Sequence, residues 1–484
     1  MKVKIKNIKN RLSSAAIGAA LILATGCSLP STIKLRQENK TVPSGYSGAS
    51  KDTVNSGMIQ WKNFFTDPYL HALIDTALQN NQEYNIMMQE INIAQSEAKA
   101  RKGEYLPFLN IGGSAGVEKA GTYTRNGAVE RNLELNPGKE NPEPLPDFMI
   151  GANASWELDI WKKLRNTKKS AVLKYLATVE GRNFMRTNLV AEIASSYYEL
   201  MAFDNQLDIL KQNIEIQQNA LEIVKMQKEA AKTTELAVRK FEAEVLKNQA
   251  HQYYIMQQIT EAENKINFLV GRFPQPVPRN SQAFVNLLPD SIHGGIPSQL
   301  LSNRPDIKQA ELELAAAKLD VKAARANFYP SLRITAGIGY QAFNPQFILK
   351  SPESMIYSAA GELVAPLINR NAIKAYYYSA SSKQLQNVYN YERTILRAHI
   401  EVANQLSNIS NLEKSYAFKE KQVQALNESI NISTRLFKSA RADYMEVLLT
   451  QRDALESRFE LIETKMQQLN ARVNMYQALG GGWN

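Results

Sequence analysis

The stretch FYPSLRITAGIGY at residues 328–340 is nearly repeated by YLPFLNIGGSAGV at residues 105–117. When Pro107 is placed on Pro330, identical residues coincide on both sides of the proline. The matched pairs are Leu78 and Leu301, Asn80 and Asn303, Glu90 and Glu313, Ala94 and Ala317, Lys99 and Lys322, Ala100 and Ala323, Leu109 and Leu332, Ile111 and Ile334, and Gly116 and Gly339. Internal similarity of this length is architectural. The sequence therefore predicts two copies of one unit.

Each copy contains two segments in which apolar and polar residues alternate. In one segment, the apolar residues Leu332, Ile334, Ala336, Ile338 and Tyr340 alternate with Arg333, Thr335, Gly337 and Gly339. Residues 109–118, 148–158 and 355–363 alternate with the same period of two. A period of two over ~9–11 residues fits a tilted membrane-spanning strand, although a strand of a soluble sandwich alternates in the same way. Four strands cannot close on themselves, and an open edge in lipid leaves backbone groups unpaired. Membrane insertion would therefore require several chains to share one barrel.

The first copy is predicted to be the longer one. Residues after the strands match at a smaller offset, as Gly271 does with Gly480, so the first copy contains extra residues. The segment 118–146 is rich in Asn, Pro and Gly, which favour turns and loops. We expect a long surface loop there.

Most of the remaining sequence has the heptad spacing of long coiled-coil helices. Ile193, Leu200, Leu207, Ile214 and Leu221 recur every seven residues, and the last helical segment repeats Leu455, Phe459, Ile462, Met466, Leu469, Val473 and Tyr476 in four-three steps. Residues 163–229 contain no proline, so a helix there could extend over roughly 100 Å at ~1.5 Å per residue. Helices of this length indicate a rod-shaped assembly or, if enough of them surround an axis, a tube.

The N-terminus has the pattern of an export signal. The chain begins with a basic leader that contains Lys2, Lys4, Lys6, Lys9 and Arg11. The leader is followed by an apolar stretch at residues 15–25 and by the sequence LATGC, which ends at the single cysteine Cys27. This pattern predicts a signal peptide over residues 1–26 that is removed. The small residues before Cys27 are typical of a bacterial lipobox. We expect a covalent lipid on Cys27, an outer membrane location favoured by Ser28, and no other cofactor.

Composition and motifs argue against several classes of protein. The formal net charge is +10, but five positive residues lie in the leader, so the mature chain is weakly basic and we expect no nucleic-acid partner. No run of ~18 uncharged apolar residues follows the leader, so no transmembrane helix is predicted. The four histidines are scattered and lack the neighbours of a metal site. Because a nucleotide-binding glycine loop and an activated nucleophile are also missing, we expect neither an enzyme nor a metal site.

The chain resembles the TolC-like outer membrane factors, the efflux lipoproteins that serve resistance-nodulation-division pumps. Four motifs carry the resemblance, and Arg304-Pro305-Asp306 and the C-terminal glycine run are its most specific parts. The motifs are LLPDSIHGGIPSQLLSNRPDIKQAELELAAAKLDVKAARANFYPSL (287–332), ASWELDIWKKLRN (154–166), ADYMEVLLTQRDAL (442–455) and YQALGGGW (476–483). The resemblance covers nearly all of the chain after the leader.

The resemblance implies a mixed α and β fold. It implies a homotrimer in which four strands per chain form an outer membrane β-barrel, continued by a long periplasmic α-helical barrel with an equatorial domain around it. The implied division is a signal peptide (1–26), a lipidated N-terminal tail (27–60), a first efflux repeat (61–275), an equatorial linker (276–300) and a second efflux repeat (301–484). Such proteins are passive exits that open when a periplasmic adaptor protein and an inner membrane resistance-nodulation-division pump dock.

The resemblance also implies a gate at the second of two helix reversals, near residues 436–449. By position, Phe437 falls where an aromatic constriction residue lies, and Glu446 matches the inner acid of an acidic ring. Leu449 departs from the family because it replaces a second acid. Arg441 and Asp443 are close enough in sequence to form ion pairs that hold this tip closed, whereas an ordinary polar turn would look the same. A ring of Glu446 side chains would favour cations.

The first reversal, near residues 229–241, supplies two candidate contacts for the adaptor, Thr234 and Glu235. The predicted function is an outer membrane exit duct of a tripartite efflux system for small molecules such as drugs or metal ions. Two alternatives are the exit duct of a type I protein secretion system and, in a different class, a structural trimeric coiled-coil surface protein. The exported compound is not indicated by the sequence.

Overall fold

The computed structural model of the protein describes residues 36–46, 54–134, 138, 142–287, 293–368, 370–439 and 441–483. The predicted signal peptide (1–26) and Cys27 lie outside these residues. The helices are α1 (Trp61–Phe64), α2 (Pro68–Asn80), α3 (Gln82–Glu104), α4 (Arg125–Glu130), α5 (Lys163–Glu229), α6 (Glu235–Val270), α7 (Ser298–Asn303), α8 (Pro305–Ala326), α9 (Asn371–Lys438) and α10 (Tyr444–Ala478). The strands are β1 (Phe108–Glu118), β2 (Leu145–Leu158), β3 (Ser331–Ala342) and β4 (Met355–Val364). The protein is therefore mostly helical, with one four-stranded sheet.

The chain divides into two compact units. Of the described residues, the sheet unit contains 36–37 and those within Ile93–Tyr175 and Glu313–Val388, and the helical unit contains those within Glu38–Asn92, Leu176–Leu312 and Tyr389–Asn484. Among the described residues, no helix is both long enough and apolar enough to cross a membrane.

The sheet is antiparallel and its strands follow the order β1-β2-β3-β4. Ala152 lies opposite both Ile111 and Ile338, and Ile338 lies opposite Tyr357. Because directly opposite residues point to the same side of a sheet, the apolar residues of all four strands share one face, in agreement with the predicted alternation. The other face carries polar residues, including Arg333 between Glu157 and Glu362.

Connections of different length join the strands of the two hairpins. Residues 119–144, which include α4, connect β1 to β2, whereas residues 343–354 connect β3 to β4. The first connection is the longer one, as the composition of residues 118–146 predicts.

The core of the helical unit is built on the heptad positions. Ile193, Tyr197 and Leu200 of α5 are fully buried, and they pack with residues of α1, α2, α6 and α10. In α10 the predicted positions Leu455, Ile462, Leu469, Val473 and Tyr476 are also buried. A tail at residues 38–46 lies on this unit, where the Lys40 Nζ donates to Glu311 at 2.6 Å and the Tyr46 ring stacks on His399 at 5.1 Å.

Candidate functional site

The first helix reversal joins α5 to α6 and is bonded by side chains as well as by the backbone. The turn includes Ala231, which has a φ of +56°. The Thr234 hydroxyl oxygen accepts a hydrogen bond from the Ala237 amide at 3.4 Å. A threonine at this N-cap position satisfies one of the free amides at the start of a helix. The sequence candidate Thr234 is therefore the cap of α6.

The second reversal joins α9 to α10 and is closed by the backbone. The Arg441 amide donates to the Leu436 carbonyl at 2.9 Å, and the Glu446 amide donates to the Asp443 carbonyl at 3.1 Å. Asp443 is at the N-cap of α10, but its side chain makes no capping hydrogen bond. The two reversals therefore differ in how their following helix begins.

Apolar residues of both reversals pack in one place, which we call the tip cluster. Its buried members are Leu221, Val224, Ala237, Val238, Phe241 and Val245, and the half-buried Ala220, Phe437, Tyr444 and Leu448 pack against them. The Lys240 Nζ also approaches the Met445 sulfur at 3.5 Å. The structure therefore brings the candidate Phe437 together with the first reversal.

Glu235 is exposed and takes part in two ion pairs. Its carboxylate lies 2.7 Å from the Lys228 Nζ and 2.8 Å from the Arg239 Nε. The hydrogen bond and charge of Lys228, together with Arg239, hold the pKa of Glu235 below its ordinary value. Arg239 also pairs with Glu242 at 2.8 Å. The first reversal thus carries a chain of ion pairs within one chain.

The charged gate candidates of the second reversal are exposed. Arg441, Asp443 and Glu446 make no ion pair with any other residue that the structure describes. Glu446 and Leu449 are three residues apart, so they lie on the same side of α10, while Val447 between them is buried. Leu449 has 41% of its surface exposed. These side chains therefore point away from the tip cluster, and the predicted ion pairs of Arg441 and Asp443 stay a prediction.

Several partners at the tip were missed by the sequence reasoning. Glu235 and Arg239 have the spacing of a helical ion pair, which could have been read directly. Lys228 and Lys240 carried no such signal, because their partners Glu235 and Met445 lie across a turn or on another helix.

A second polar site surrounds Arg304 at the end of α10. The guanidinium is buried and donates to both oxygens of Asp306 at 3.0 and 2.7 Å, to Glu401 at 2.8 Å and to the Ala478 carbonyl at 2.8 Å. Burial alone would lower the pKa of Arg304, but the carboxylates of Asp306 and Glu401 raise it overall. The Arg-Pro-Asp motif therefore fixes the C-terminal end of α10.

Comparison with known proteins agrees over nearly the whole chain. The family described as outer membrane efflux protein matches residues 73–272 and 296–481. The toluene efflux pump outer membrane protein TtgI of Pseudomonas putida is 26% identical over 471 residues, which cover 96% of this chain and 97% of TtgI. The cation efflux system protein CusC of Escherichia coli (strain K12) is 26% identical over 466 residues, covering 95% of this chain and 97% of CusC.

A solved structure of one of these relatives has a similar fold. A crystal structure of CusC, from work on its folding and transmembrane channel formation, superposes on this chain with a TM-score of 0.80 at 25% identity. The superposition covers 92% of this chain and 99% of that one. The mostly helical fold with one four-stranded sheet is therefore shared with a solved efflux protein.

Proposed function

Because the chain belongs to the outer membrane efflux protein family, we propose that it is the outer membrane channel of a tripartite efflux system. In this role it is a passive exit duct through which small molecules pass from the periplasm to the outside. The observation that carries the proposal is the match of the family to both halves of the chain, together with efflux relatives that align over nearly its full length. Because passive conduction requires no catalytic group, the proposed role needs no enzymatic activity of this protein.

The open edges of the sheet support a barrel shared by several chains, and the family resemblance gives their number as three. In the described sheet, β1 pairs only with β2 and β4 only with β3, so both edges are open. An open edge in lipid leaves backbone groups without partners, and strands of neighbouring chains would supply those partners in a shared barrel. The duplication of one unit within each chain reduces the number of chains that such a barrel needs.

The long helices support the same assembly. Ile216 and Ile223 of α5 are exposed, and so are Leu246 and Tyr253 of α6, each pair seven residues apart. Because both helices also carry a buried heptad seam, each has apolar positions for a second neighbour. Helices with two seams fit a closed ring of helices, which would be the periplasmic tunnel. In this assembly, each chain would be divided into a lipidated tail, two efflux repeats and an equatorial linker.

The partners follow from the same role. An adaptor protein would contact the first reversal at Thr234 and Glu235, and an inner membrane resistance-nodulation-division pump would supply the exported molecules. The lipid on Cys27 would anchor the chain to the outer membrane while the helices extend into the periplasm.

Exposed side chains at the second reversal support a gate there. Glu446 and Leu449 share the free side of α10, so copies related by a threefold axis could line a constriction with them. Phe437 would set the position of this reversal through the tip cluster, and Arg441 and Asp443 would pair with neighbouring helices to keep it closed. A ring of Glu446 carboxylates would favour cations.

The substrate class is proposed as small molecules, such as drugs or metal ions. The relatives are named for toluene and for cations, and one duct geometry would serve both. A type I secretion exit or a structural surface protein is not favoured, because the relatives that align over nearly the full chain are efflux proteins.

Planar bilayer recordings of the purified protein test this function. We expect a trimer in detergent that forms small channels with a low open fraction, and a higher open fraction for Arg441→Ala. Arg452→Ala is the matched control, because Arg452 is exposed but pairs with its neighbour Asp453 at 3.0 Å. A protein that neither trimerises nor conducts, even as Arg441→Ala, would contradict the duct.

A further inference from the structure

Exposed basic residues surround the junction between the sheet and its helices, and we call them the basic collar. Each strand adjoins one helix, since β1 follows α3, β2 precedes α5, β3 follows α8 and β4 precedes α9. All four junctions carry exposed basic side chains within two turns of the helix end beside the strand, about 10 Å along the axis. The collar consists of Lys99, Lys102, Lys162, Lys169, Lys322, Arg325 and Lys374.

The collar carries a positive charge that this chain does not neutralise. The acids of the same helix ends, and of the turns beside them, each pair with a basic residue outside the collar. The pairs are Glu97 and Glu104 with Arg101, Asp159 with Arg165, and Asp320 with Lys174, at distances of 2.8–3.2 Å. No collar residue makes an ion pair with another residue that the structure describes. The counter-charge of the collar therefore has to come from outside this chain.

Part of the collar is present in both copies of the repeat. In the alignment of the two copies, Lys99 matches Lys322 and Lys102 matches Arg325. Residues three apart lie on the same side of a helix, so α3 and α8 each present a pair of cations in the equivalent position. Both copies therefore place positive charge at the same distance from the sheet.

The contacts of α8 indicate which way its cations face. Ala324 packs in a cluster with Tyr377 of α9, and Asp320 pairs with α5 at 2.8 Å. Because residues four apart share one side of a helix, both contacts with neighbouring helices lie on one side of α8. Lys322 is on the opposite side, Arg325 is rotated by ~100° from Ala324, and both are exposed. In a closed ring the contacts of each helix converge toward the axis, so these two cations face outward.

The strands place the collar at the boundary of a bilayer. Strands β1, β3 and β4 contain 11, 12 and 10 residues. At ~3.3 Å per residue and a tilt of ~40° they rise by about 25–30 Å, which matches the ~25 Å apolar band of a membrane barrel. The hydrocarbon core then ends where the strands end. The collar, within about 10 Å of these ends, lies at the level of the lipid head groups.

We propose that the basic collar binds the anionic phospholipid head groups of the membrane leaflet that faces the periplasm. Basic residues beside a membrane are attracted to anionic lipids, and the attraction acts over about a Debye length. Charge complementarity selects this occupant, because the collar faces outward at head-group level and has no acidic partner within the chain. The inference rests on the proposed function, since it requires the strands to span the outer membrane.

Spin-labelled lipids test the collar. The unmodified protein is reconstituted in vesicles of phosphatidylethanolamine that contain a trace of spin-labelled phosphatidylglycerol or, separately, of spin-labelled phosphatidylethanolamine. Electron paramagnetic resonance measures the fraction of each lipid that is slowed at the protein surface. We expect an association constant about threefold larger for phosphatidylglycerol. This preference should disappear as the ionic strength rises from about 0.1 M to about 1 M, because salt screens exposed charges.

Replacing the repeated cations separates the collar from the other charges of the chain. The collar variant combines Lys99→Gln, Lys102→Gln, Lys322→Gln and Arg325→Gln, and it should lose most of the preference. The matched control neutralises the same number of exposed lysines on the helical unit, none of which makes an ion pair with another described residue. It combines Lys211→Gln, Lys265→Gln, Lys414→Gln and Lys421→Gln, and it should retain the preference.

The outcomes separate the collar from the duct. Equal association of both lipids, in vesicles that conduct, would overturn the collar and leave the proposed function intact; the cations would then meet another protein or the cell wall. A preference that survives in the collar variant, or that the control loses equally, would also overturn it. If no lipid of either kind is slowed and conduction is lost, the proposed function itself is contradicted. If the collar variant does not fold, the salt series decides, and a preference insensitive to salt refutes the collar.

Discussion

The first helix pair, α5 and α6, and the second, α9 and α10, are bonded differently at their reversals. The first has a capping Thr234 and the ion pairs of Glu235, all within one chain. The second has an N-cap residue that makes no capping bond and exposed charges at Arg441 and Glu446. Fewer side-chain bonds have to break when the second reversal moves. The second pair is therefore the better suited to be the moving part of a gate.

At their opposite ends the two pairs reach a similar geometry by different chemistry. The Asn81 side-chain amide donates to the Leu269 carbonyl near the end of α6 at 2.9 Å. Arg304 donates to the Ala478 carbonyl at the end of α10 at 2.8 Å and also holds two carboxylates. A neutral amide fixes the first pair, whereas the second has a buried cation in addition to the neutral side-chain amide of Asn303, which donates to the Leu479 carbonyl at 2.6 Å. The helix pair with the looser reversal thus has the more highly charged anchor.

Replacing Arg304 with Met should have the largest effect on stability. The change leaves Asp306 without its cation and leaves Glu401 with Arg397 alone, at 2.7 Å. Removing one partner of a buried ion pair costs ~3–5 kcal/mol. Because Asp306 and Glu401 are partly exposed, we expect about 3 kcal/mol. Asn81→Ala removes one neutral donor and should cost ~1–2 kcal/mol. Unfolding in denaturant, followed by circular dichroism, measures both, and equal costs would remove the contrast between the two anchors.

Replacing the glycines at the ends of α6 and α10 with alanine should destabilise the first helix pair more than the second, which is the reverse of the effect expected at Asn81 and Arg304. Gly271 has a φ of +76° and Gly480 a φ of +80°, so both substitutions place a side chain in the left-handed region, at ~1–2 kcal/mol. At Gly271 the added Cβ would also lie 2.4 Å from the Asn80 carbonyl oxygen, whereas at Gly480 its nearest neighbour is 3.0 Å away. We expect the lower melting temperature for Gly271→Ala. A lower value for Gly480→Ala would show that the clash at Asn80 is relieved.

Loss of the cap should affect only the first reversal. Thr234→Ala removes a capping bond and should destabilise the start of α6 by about 0.5 kcal/mol, since the bond is long and caps contribute ~0.5–2 kcal/mol. Asp443→Ala removes no capping bond from α10. Hydrogen exchange of the amides in residues 235–240 and 444–449 reports the two effects. Faster exchange at α10 in Asp443→Ala would contradict the difference in capping.

Acid should loosen the first reversal before the second. The folded pKa of Glu235 is lowered from its ordinary 4.5, so its ion pairs contribute above that value and are lost as the pH falls through the lowered pKa. We expect exchange in residues 229–239 to accelerate below about pH 4, near the ordinary carboxyl pKa. Glu235→Gln should abolish this dependence, and Glu446→Gln should preserve it. The effect is small because these groups are exposed.

Much of the fold could be predicted from local periodicity. Alternation placed Ile338 and Tyr340 on one face, because successive side chains of a strand point to opposite sides. The absence of proline over residues 163–229 agrees with α5, which spans Lys163–Glu229. Such signals are confined to one element and need no tertiary contact.

The bonding of the sites could be predicted only in part. The capping position of Thr234 and the spacing of Glu235 and Arg239 are local features. The contact of Arg304 with Glu401 joins residues far apart in sequence, and the packing of Phe437 on the first reversal depends on a neighbouring helix. Neither leaves a periodic trace, because each depends on how separate helices pack. Resemblance supplied the positions of such residues but not their partners.

The two open edges of the sheet have a consequence for biogenesis. A newly exported chain would carry unpaired strands at β1 and β4 beside a broad apolar face, which is the arrangement that promotes edge-to-edge aggregation. Such a chain is safe only while something occupies those edges. We therefore expect insertion and association of chains to occur as one coupled step.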